Sequence, residues 1–265
     1  MPVIDVYRAK MSYEVAGEGP VVVLVHGEDG NNLAWFQQIP FFARYFRTIT
    51  VNLRSFAGSP CAAEDYHPKH FPDDMLALLD AEQIERAAFV CHSLGAWAGL
   101  PLATRHPERV SCLAISDSPT PAYSPGNWLV LQRALQIAAG LTRGELSDIT
   151  QMGFTDEFER RRPDLVHLYF RLNELNGPRD LATTAAEELR LYPKDLLKYQ
   201  TPTLVTGGGR DRFLTAENHK HVANLIPGAE SHTFTEAGHS AYFEMPGEYN
   251  RVVGTYLARN LLNRT

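Results

Sequence analysis

The chain lacks the long apolar runs, basic clusters and paired cysteines that define several large classes of protein. No apolar run approaches the ~20 residues that a membrane-spanning helix needs. Residues 1–5 show no basic region followed by an apolar stretch, so no secretory signal is apparent. The formal net charge of -6 and the absence of a basic stripe disfavour nucleic acid or an anionic membrane as a partner. The sequence therefore predicts a soluble, cytoplasmic protein.

Cysteine is scarce, and the motifs of bound cofactors are missing. The three cysteines lie at scattered spacing: Cys61, Cys91 and Cys112. An odd number at irregular spacing is typical of reduced thiols rather than of a disulfide framework. There is no P-loop and no G-x-G-x-x-G loop, because the glycine run at 207–209 leads to an acid rather than to a lysine. His67 and His70 have the spacing of half a metal-ligand set, but nothing completes it. We expect no cofactor and no metal.

Short apolar runs alternate with helical patterns through most of the chain. Strands are predicted at 21–25, 47–52, 87–91, 110–115, 203–206 and 231–234, with helices at 35–45, 73–81, 94–103 and 248–262. This alternation predicts an α/β fold with a mostly parallel, doubly wound sheet. The alternation stops after Asp117, where a polar segment with helical spacing begins. We predict a core domain of residues 1–117 and 198–265 and a helical insertion at 118–197, with helices at 129–139, 156–160, 165–175 and 182–191.

The sequence His92-Ser93-Leu94-Gly95 stands between a predicted buried strand and a predicted helix. A serine at such a sharp junction presents its hydroxyl above the sheet, beside the first free N–H groups of the helix. The pattern is C-x-S-x-G, with Cys91 in the place where glycine is usual. We expect Cys91 to be an inert packing residue that loosens the contact between helix and strand. The alternative for Ser93 is an ordinary helix N-cap.

A serine hydroxyl needs a base, and the base needs an orienting acid. Asp211 follows a predicted strand through a glycine-rich turn, and His239 follows the last predicted strand. Both would lie with Ser93 at the carboxyl ends of parallel strands, where ligands bind. Asp117, at the end of the strand after Ser93, is an alternative acid; otherwise it is a turn residue.

The chain resembles the α/β-hydrolase superfamily over nearly its whole length. The motifs that carry the resemblance are His26-Gly27, Asn52-Leu53-Arg54 before Gly58-Ser59-Pro60, His92-Ser93-Leu94-Gly95, Gly209-Arg210-Asp211, and Gly238-His239-Ser240 before Phe243-Glu244-Met245-Pro246. The resemblance implies Ser93 as nucleophile, His239 as base and Asp211 as acid, and a cap at 118–197 over the site. Some members of the superfamily carry the acid at the place of Asp117. The resemblance also implies an oxyanion hole made by the backbone N–H groups of Glu28 and Leu94.

Candidate substrate contacts come from the segment 118–197 and from the neighbours of the catalytic motifs. We predict that Trp128, Phe154 and Tyr242 wall an apolar pocket, with core packing as the alternative for each. We also predict that His92 contacts the substrate, with local packing as its alternative role. Glu28 is expected to point outward and to lend only its N–H. In the alternative, a carboxylate that faces the pocket needs an ion-pair partner, for which Arg54 is plausible.

These features predict a cofactor-independent serine hydrolase of a small to medium, mainly apolar ester or lactone. Hydrolysis of a carbon–carbon bond is less favoured, because relatives with that activity often carry Asn before the serine and Trp after the histidine. This chain has His92 and Ser240 in those places. The alternative is a non-hydrolytic member of the fold: a cofactor-free dioxygenase of a heteroaromatic substrate with Asp117 as the acid, or a ligand receptor. The sequence does not determine the oligomeric state, and a homodimer is one of the alternatives.

Overall fold

The computed structural model describes residues 1–141 and 153–262, with the backbone alone for 137–141. Within these residues eight strands form one sheet: β1 (Val3–Val6), β2 (Ala9–Ala16), β3 (Val21–Val25), β4 (Arg47–Val51), β5 (Ala87–His92), β6 (Val110–Ser116), β7 (Thr203–Gly208) and β8 (Glu230–Phe234). Their spatial order is β1-β2-β4-β3-β5-β6-β7-β8. The pairs β1–β2 and β2–β4 are antiparallel, and the other neighbours are parallel. The predicted mostly parallel sheet is confirmed.

Helices cover both faces of this sheet, which explains why the central strand β3 is wholly apolar and β5 is apolar up to its last residue, His92. The α-helices of the described residues are α1 (Ile39–Phe42), α2 (Phe71–Ala81), α3 (Ala96–Arg105), α4 (Pro125–Leu141), α5 (Asp156–Arg161), α6 (Pro163–Asn173), α7 (Ala216–Leu225), α8 (Ala241–Glu244) and α9 (Pro246–Leu261). In β3, Val23 and Val25 belong to one hydrophobic layer, and Val22 and Leu24 to the other. Alternate side chains of a strand point to opposite faces, so both layers take part in fixing β3.

The helix predicted at 35–45 is much shorter in the structure. A 3-10 helix spans Asn32–Trp35, and α1 is a single turn that ends at Phe42. Pro40 stands in the first turn of α1, where a missing N–H costs nothing. The apolar side chains that predict a long helix are instead divided between two short helices.

The helix predicted at 182–191 is also absent as a continuous element. Two 3-10 helices, Leu181–Ala185 and Glu187–Leu189, occupy the segment and are separated by Ala186 in extended conformation. The hydroxyls of Thr183 and Thr184 donate to the backbone carbonyls of Asp180 and Leu181, at 2.6 and 2.7 Å. Such local hydrogen bonds compete with regular helix geometry. The sequence pattern does not predict strands β1 and β2 or helices α7 and α8.

The insertion after β6 lies against the sheet domain through several polar contacts. Its described residues between β6 and β7 include α4, α5 and α6. The side chain of Asn31 donates to the Leu172 carbonyl at 2.7 Å, and the Gly177 N–H donates to the Ser55 carbonyl at 2.8 Å. The domain limits at 117 and 198 stay a prediction. None of the helices in the described ranges is long and apolar enough to span a membrane.

Candidate active site

Ser93 lies at a strained turn between β5 and α3. Its φ of 45° is in the left-handed region, which is unusual for a residue other than glycine. Ser93 is also the first residue of a 3-10 helix, Ser93–Gly95, which leads directly into α3. At Gly95 a Cβ would come within 2.6 Å of the Val25 carbonyl oxygen, so the turn sits directly against the end of β3. The predicted strand-to-helix turn with Ser93 at its apex is present.

Cys91 is packed more closely than its replacement of glycine suggested. A Cβ built on Gly99 of α3 would lie 2.5 Å from the Cys91 Sγ. The helix therefore approaches the strand closely, because Gly99 supplies the space that glycine at position 91 would otherwise give. The expected looser packing is wrong. Cys91 is fully buried, and burial raises the pKa of its thiol, as expected for an inert cysteine.

Ser93, His239 and Asp211 form a continuous series of hydrogen bonds. The His239 Nε2 lies 3.2 Å from the Ser93 Oγ, and its Nδ1–H donates to the Asp211 Oδ2 at 2.8 Å. The other Asp211 oxygen, Oδ1, accepts the backbone N–H groups of Phe213 and Leu214 at 2.7 and 3.0 Å. With Nδ1 protonated, Nε2 is free to accept the serine proton.

The charges of this series favour an ionised acid and a strong base. Burial by itself would raise the pKa of Asp211, but the adjacent rings of His239 and His219 outweigh it and hold that pKa well below its usual range. Burial would lower the pKa of His239, but the negative charges of Asp211, Asp117 and Asp29 raise it to about 9. A histidine near this acid is therefore a better proton acceptor than a free one.

Asp117 lies in the same buried region but does not hydrogen-bond to His239. Its Oδ1 accepts the Gly208 N–H at 2.7 Å, and its backbone φ is 51°. The Nε2 of His219 lies 3.7 Å from this oxygen and 3.7 Å from the Asp211 Oδ2. The structure thus places Asp211 against the His239 Nδ1 and leaves Asp117 as a second acid behind it.

The loop after β3 is held by a neutral histidine. The His26 Nδ1–H donates to the Gly27 carbonyl at 2.7 Å, and its Nε2 accepts the Leu53 N–H at 3.1 Å. Burial lowers the pKa of His26 to about 4, which keeps the ring neutral. The Leu94 N–H lies in the first turn of a 3-10 helix and has no acceptor within that helix. The oxyanion role of the Glu28 and Leu94 N–H groups stays a prediction.

The side chain of Glu28 does not point outward to solvent. It is 17% exposed, and its Oε1 accepts from the Arg179 Nε at 2.7 Å. Burial raises the pKa of Glu28 to about 7, and the charge of Arg179 opposes that rise. The expected partner, Arg54, is fully buried in a bidentate ion pair with Asp74 at 2.6 and 2.9 Å. Both expectations for Glu28 are therefore wrong: the buried carboxylate has an arginine partner, but that arginine comes from the insertion.

Ser93 and His239 open into a cavity of about 120 Å³ between the sheet and the insertion. Among the described residues its walls are mostly apolar: Leu94, Trp97, Pro119, Leu131, Ala134, Leu135, Leu181, Thr184, Phe213 and Leu214. The acidic residues Glu28 and Asp29 also line this cavity. A larger surface hollow of about 440 Å³ lies elsewhere, beside Phe158 and Met245, and does not include Ser93. The chemistry of the side chains therefore marks the smaller cavity as the site.

Two of the predicted pocket walls, Trp128 and Phe154, pack away from this cavity. Trp128 is 6% exposed, its ring is tilted against that of Tyr123, and the guanidinium of Arg190 lies over it. Phe154 is 1% exposed and contacts the rings of Phe158, Tyr169 and Phe243 at centroid distances of 5.0–5.5 Å. Neither ring is among the described cavity walls, so their predicted substrate contact is corrected to packing.

Tyr242 and His92 are also corrected, because both are buried behind the site. Tyr242 is fully buried against Trp35 and His92, with ring centroids 4.5 and 4.7 Å apart. Burial lowers the pKa of His92 to about 3, so the ring is neutral. The His92 Nε2–H donates to the backbone carbonyl of His239 at 2.9 Å. His92 therefore holds the loop that carries His239 and does not reach the cavity.

Several residues of the site were not singled out from the sequence. Phe213 and Leu214 follow Asp211 by two and three positions, and this proximity was an available signal. The Phe213 ring lies 5.1 Å from that of His239 in an edge-on arrangement. His219 follows Asp211 on the next helix and was also missed. Arg179 is 151 positions from Glu28, and no local pattern points to that pairing.

Within the described ranges, the arrangement closest to a metal site consists of Asp117, Asp211 and His219. One ligand atom of each lies within 4.8 Å of the others, and all three residues are buried. The nearest oxygens already accept hydrogen bonds, from the Gly208 N–H and from His239. These hydrogen bonds orient both carboxyl groups.

Comparison with known proteins identifies the family. A family model described as the alpha/beta hydrolase fold matches residues 20–246. The chain therefore belongs to the α/β-hydrolase family of enzymes, and the resemblance seen in its motifs is confirmed. The site described above lies within the matched residues.

Individual relatives are distant but align over nearly the full chain. The chain is 26% identical to 2-hydroxymuconate semialdehyde hydrolase of Pseudomonas sp. (strain CF600), over 92% of this chain and 88% of that protein. It is 26% identical to 2-hydroxy-6-oxononadienedioate/2-hydroxy-6-oxononatrienedioate hydrolase of Paraburkholderia xenovorans (strain LB400), over 95% and 91%. These relatives are hydrolases with different substrates.

Solved structures show the same fold. An N-acyl homoserine lactone degrading enzyme superposes with a TM-score of 0.81 and 26% identity, over 96% of this chain and 100% of that chain. The enol-lactonase from Burkholderia xenovorans LB400 superposes with a TM-score of 0.80 and 23% identity, over 97% and 99%. The enol-lactonase supports the fold alone at this identity.

Proposed function

We propose that the protein is a cofactor-independent serine hydrolase that cleaves a small to medium, mainly apolar ester or lactone. The observation that carries this proposal is the hydrogen-bonded series of Ser93, His239 and Asp211, which opens into a mostly apolar cavity. A serine, a base and an oriented acid are the groups that acyl transfer requires. The lactone class is further supported by the structural neighbour at 26% identity, an enzyme that degrades an N-acyl homoserine lactone.

In this mechanism His239 takes the Ser93 proton as the serine oxygen attacks the substrate carbonyl. The tetrahedral oxyanion accepts the backbone N–H groups of Glu28 and Leu94. When the carbonyl re-forms, the C–O bond to the leaving alcohol breaks and His239 returns its proton to that alcohol. Water then attacks the acyl-enzyme with His239 as base, which releases the acid and restores the Ser93 hydroxyl. Asp211 holds the His239 ring and stabilises its cationic form during both steps.

The charges of the cavity favour a neutral substrate. Its described walls include the acidic residues Glu28 and Asp29, and the nearby Arg179 is engaged with Glu28. A dicarboxylate substrate, such as the dienedioate in the name of one relative, would meet like charges there. An ester or lactone without charge avoids this repulsion.

The non-hydrolytic alternative is less favoured by the position of the acids. A dioxygenase in which Asp117 supports the base needs Asp117 beside His239. The His239 Nδ1 instead donates to Asp211, and Asp117 accepts from Gly208. Carbon–carbon hydrolysis stays the less favoured reaction of the same serine.

The test is steady-state hydrolysis of neutral p-nitrophenyl esters and of a neutral γ-lactone by the purified protein. We expect turnover of both classes, and we expect Ser93→Ala to reduce kcat by a factor of about 10⁴ or more. Ser231→Ala is the matched control, because this serine is exposed on β8 and outside the site. An unchanged rate in Ser93→Ala would contradict the proposed mechanism.

A further inference from the structure

The three consecutive glycines at 207–209 have different neighbours. A Cβ on Gly208 would overlap the backbone of the His239 loop at Gly238, and a Cβ on Gly209 would lie 2.5 Å from the Thr235 carbonyl oxygen. These two glycines allow the loop that carries His239 to approach β7. A Cβ on Gly207 would instead overlap the imidazole of His219. The first glycine therefore makes space for a side chain that the triad itself does not include.

His219 lies on the first turns of α7, with its ring turned inward under the site. It is 2% exposed. Within the described ranges two acids are its ion-pair partners: Asp117, from the turn after β6, and Asp211, from the turn after β7. Its Nε2 lies 3.7 Å from an oxygen of each, and neither ring nitrogen has a hydrogen-bond partner among the described residues. The ring is therefore placed equally between the two acids.

The two acids need a positive charge between them if both are to be ionised. Both carboxyl groups are fully buried, and their nearest oxygens lie within 4.8 Å of each other. Two carboxylates so close in a buried site oppose each other's ionisation. Burial raises the pKa of Asp117 to about 7, while the charge of His219 opposes the rise. The His239 Nδ1–H donates to the same Asp211 oxygen, Oδ2, at 2.8 Å, whereas the Asp117 Oδ1 accepts from the Gly208 N–H, so His219 is the ring that lies within 4 Å of both acids.

We propose that His219 is a positioning residue of the active site, a buried cation that lets Asp117 and Asp211 be ionised together. In this proposal the negative Asp117 and the positive His219 form an ion pair of zero net charge behind the triad. Asp211 then keeps its full negative charge beside His239. The proposal rests on the proposed function, because it concerns how the acid of a Ser-His-Asp triad is held. His219 acts through Asp211 and is not among the described residues that line the cavity.

Single substitutions at the two members of the pair are predicted to act in opposite directions. Asp117→Asn removes a negative charge near His239 and lowers the pH at which that ring titrates, by about half a unit or more. His219→Gln removes the positive charge but keeps a hydrogen-bond donor, so it raises that pH by a similar amount. In the double variant the two changes cancel, and the midpoint returns close to the original value. A purely structural role for His219 does not predict opposite shifts that cancel.

The measurement is an NMR titration of protein labelled with ¹⁵N in its histidines, with His239 assigned from a His239→Gln sample. It reports the His239 midpoint whether or not a substrate is known. His221→Gln is the matched control, because His221 lies on the same helix but is exposed and bonds to Ser124. We expect no shift in this control.

The role of His219 would be overturned if the His239 midpoint moved in the same direction in both single variants. It would also be overturned if the double variant did not return to the original midpoint. If His219→Gln does not fold, the Asp117→Asn shift still decides: a His239 midpoint that stays unchanged contradicts the proposal. Failure of the hydrolase proposal is a separate result, seen as Ser93-independent activity with the NMR shifts intact. The kcat/KM profile of an active protein must follow the NMR midpoints in the same order.

Discussion

Replacing Asp211 or Asp117 by Asn distinguishes the acid that holds the base. In Asp211→Asn, the amide oxygen is expected to keep the N–H groups of Phe213 and Leu214, which the Asp211 Oδ1 accepts now. The amide NH₂ then faces the His239 Nδ1, 2.8 Å from the present acid oxygen. Two donors cannot share this contact, so the ring must place its proton on Nε2.

A ring protonated at Nε2 cannot accept the serine proton. The expected loss of kcat/KM follows from the same substitution in characterised Ser-His-Asp triads. We expect kcat/KM to fall by about 10³ to 10⁴ for Asp211→Asn, or about 4 to 5.5 kcal/mol of transition-state stabilisation. Asp117→Asn keeps an oxygen for the Gly208 N–H and leaves the His239 contact in place. We expect less than about a tenfold change there.

The assay is kcat/KM for a neutral p-nitrophenyl ester, measured across pH for both variants. Thermal unfolding by circular dichroism shows whether each variant retains its fold. A larger loss for Asp117→Asn than for Asp211→Asn would refute the reasoning, and so would an Asp211→Asn enzyme within tenfold of the original.

Three further predictions concern the surroundings of the triad. Because the base must be unprotonated and the pKa of His239 is raised to about 9, kcat/KM should keep rising between pH 7 and 9, and a profile already flat at pH 7 would contradict this. Arg179→Ala leaves the largely buried Glu28 without its partner and should lower the free energy of unfolding by about 2 kcal/mol in urea titrations. Gly207→Ala should cost about 3 kcal/mol by overlap with the His219 ring, and the double variant with His219→Ala should recover part of that loss.

Much of the site could be predicted because its residues follow strongly patterned strands. The wholly apolar runs of β3 and β5 predict buried parallel strands, and both match the structure closely. Parallel strands bring their carboxyl ends to one edge of the sheet, so Ser93, Asp211 and His239 could be placed together before their distances were known. Their catalytic roles stay predictions.

The surroundings of the site were harder to predict because they depend on contacts between distant segments. The Glu28–Arg179 ion pair joins residues 151 positions apart. The sequence alone does not distinguish an aromatic residue that lines a cavity from one that packs in a core, and Phe154 packs in a core. Segment 182–191 has apolar spacing suited to a helix, but side-chain hydrogen bonds of its threonines favour short turns.

The most direct test of the central claim is labelling of the intact protein with a fluorophosphonate, followed by mass spectrometry of its peptides. An activated serine hydroxyl displaces fluoride and forms a stable phosphonyl ester. We predict one adduct, on Ser93, which is lost in both Ser93→Ala and His239→Gln. An adduct on another residue, or no labelling of Ser93 at pH 8 to 9, would contradict the claim that His239 and Asp211 activate this serine.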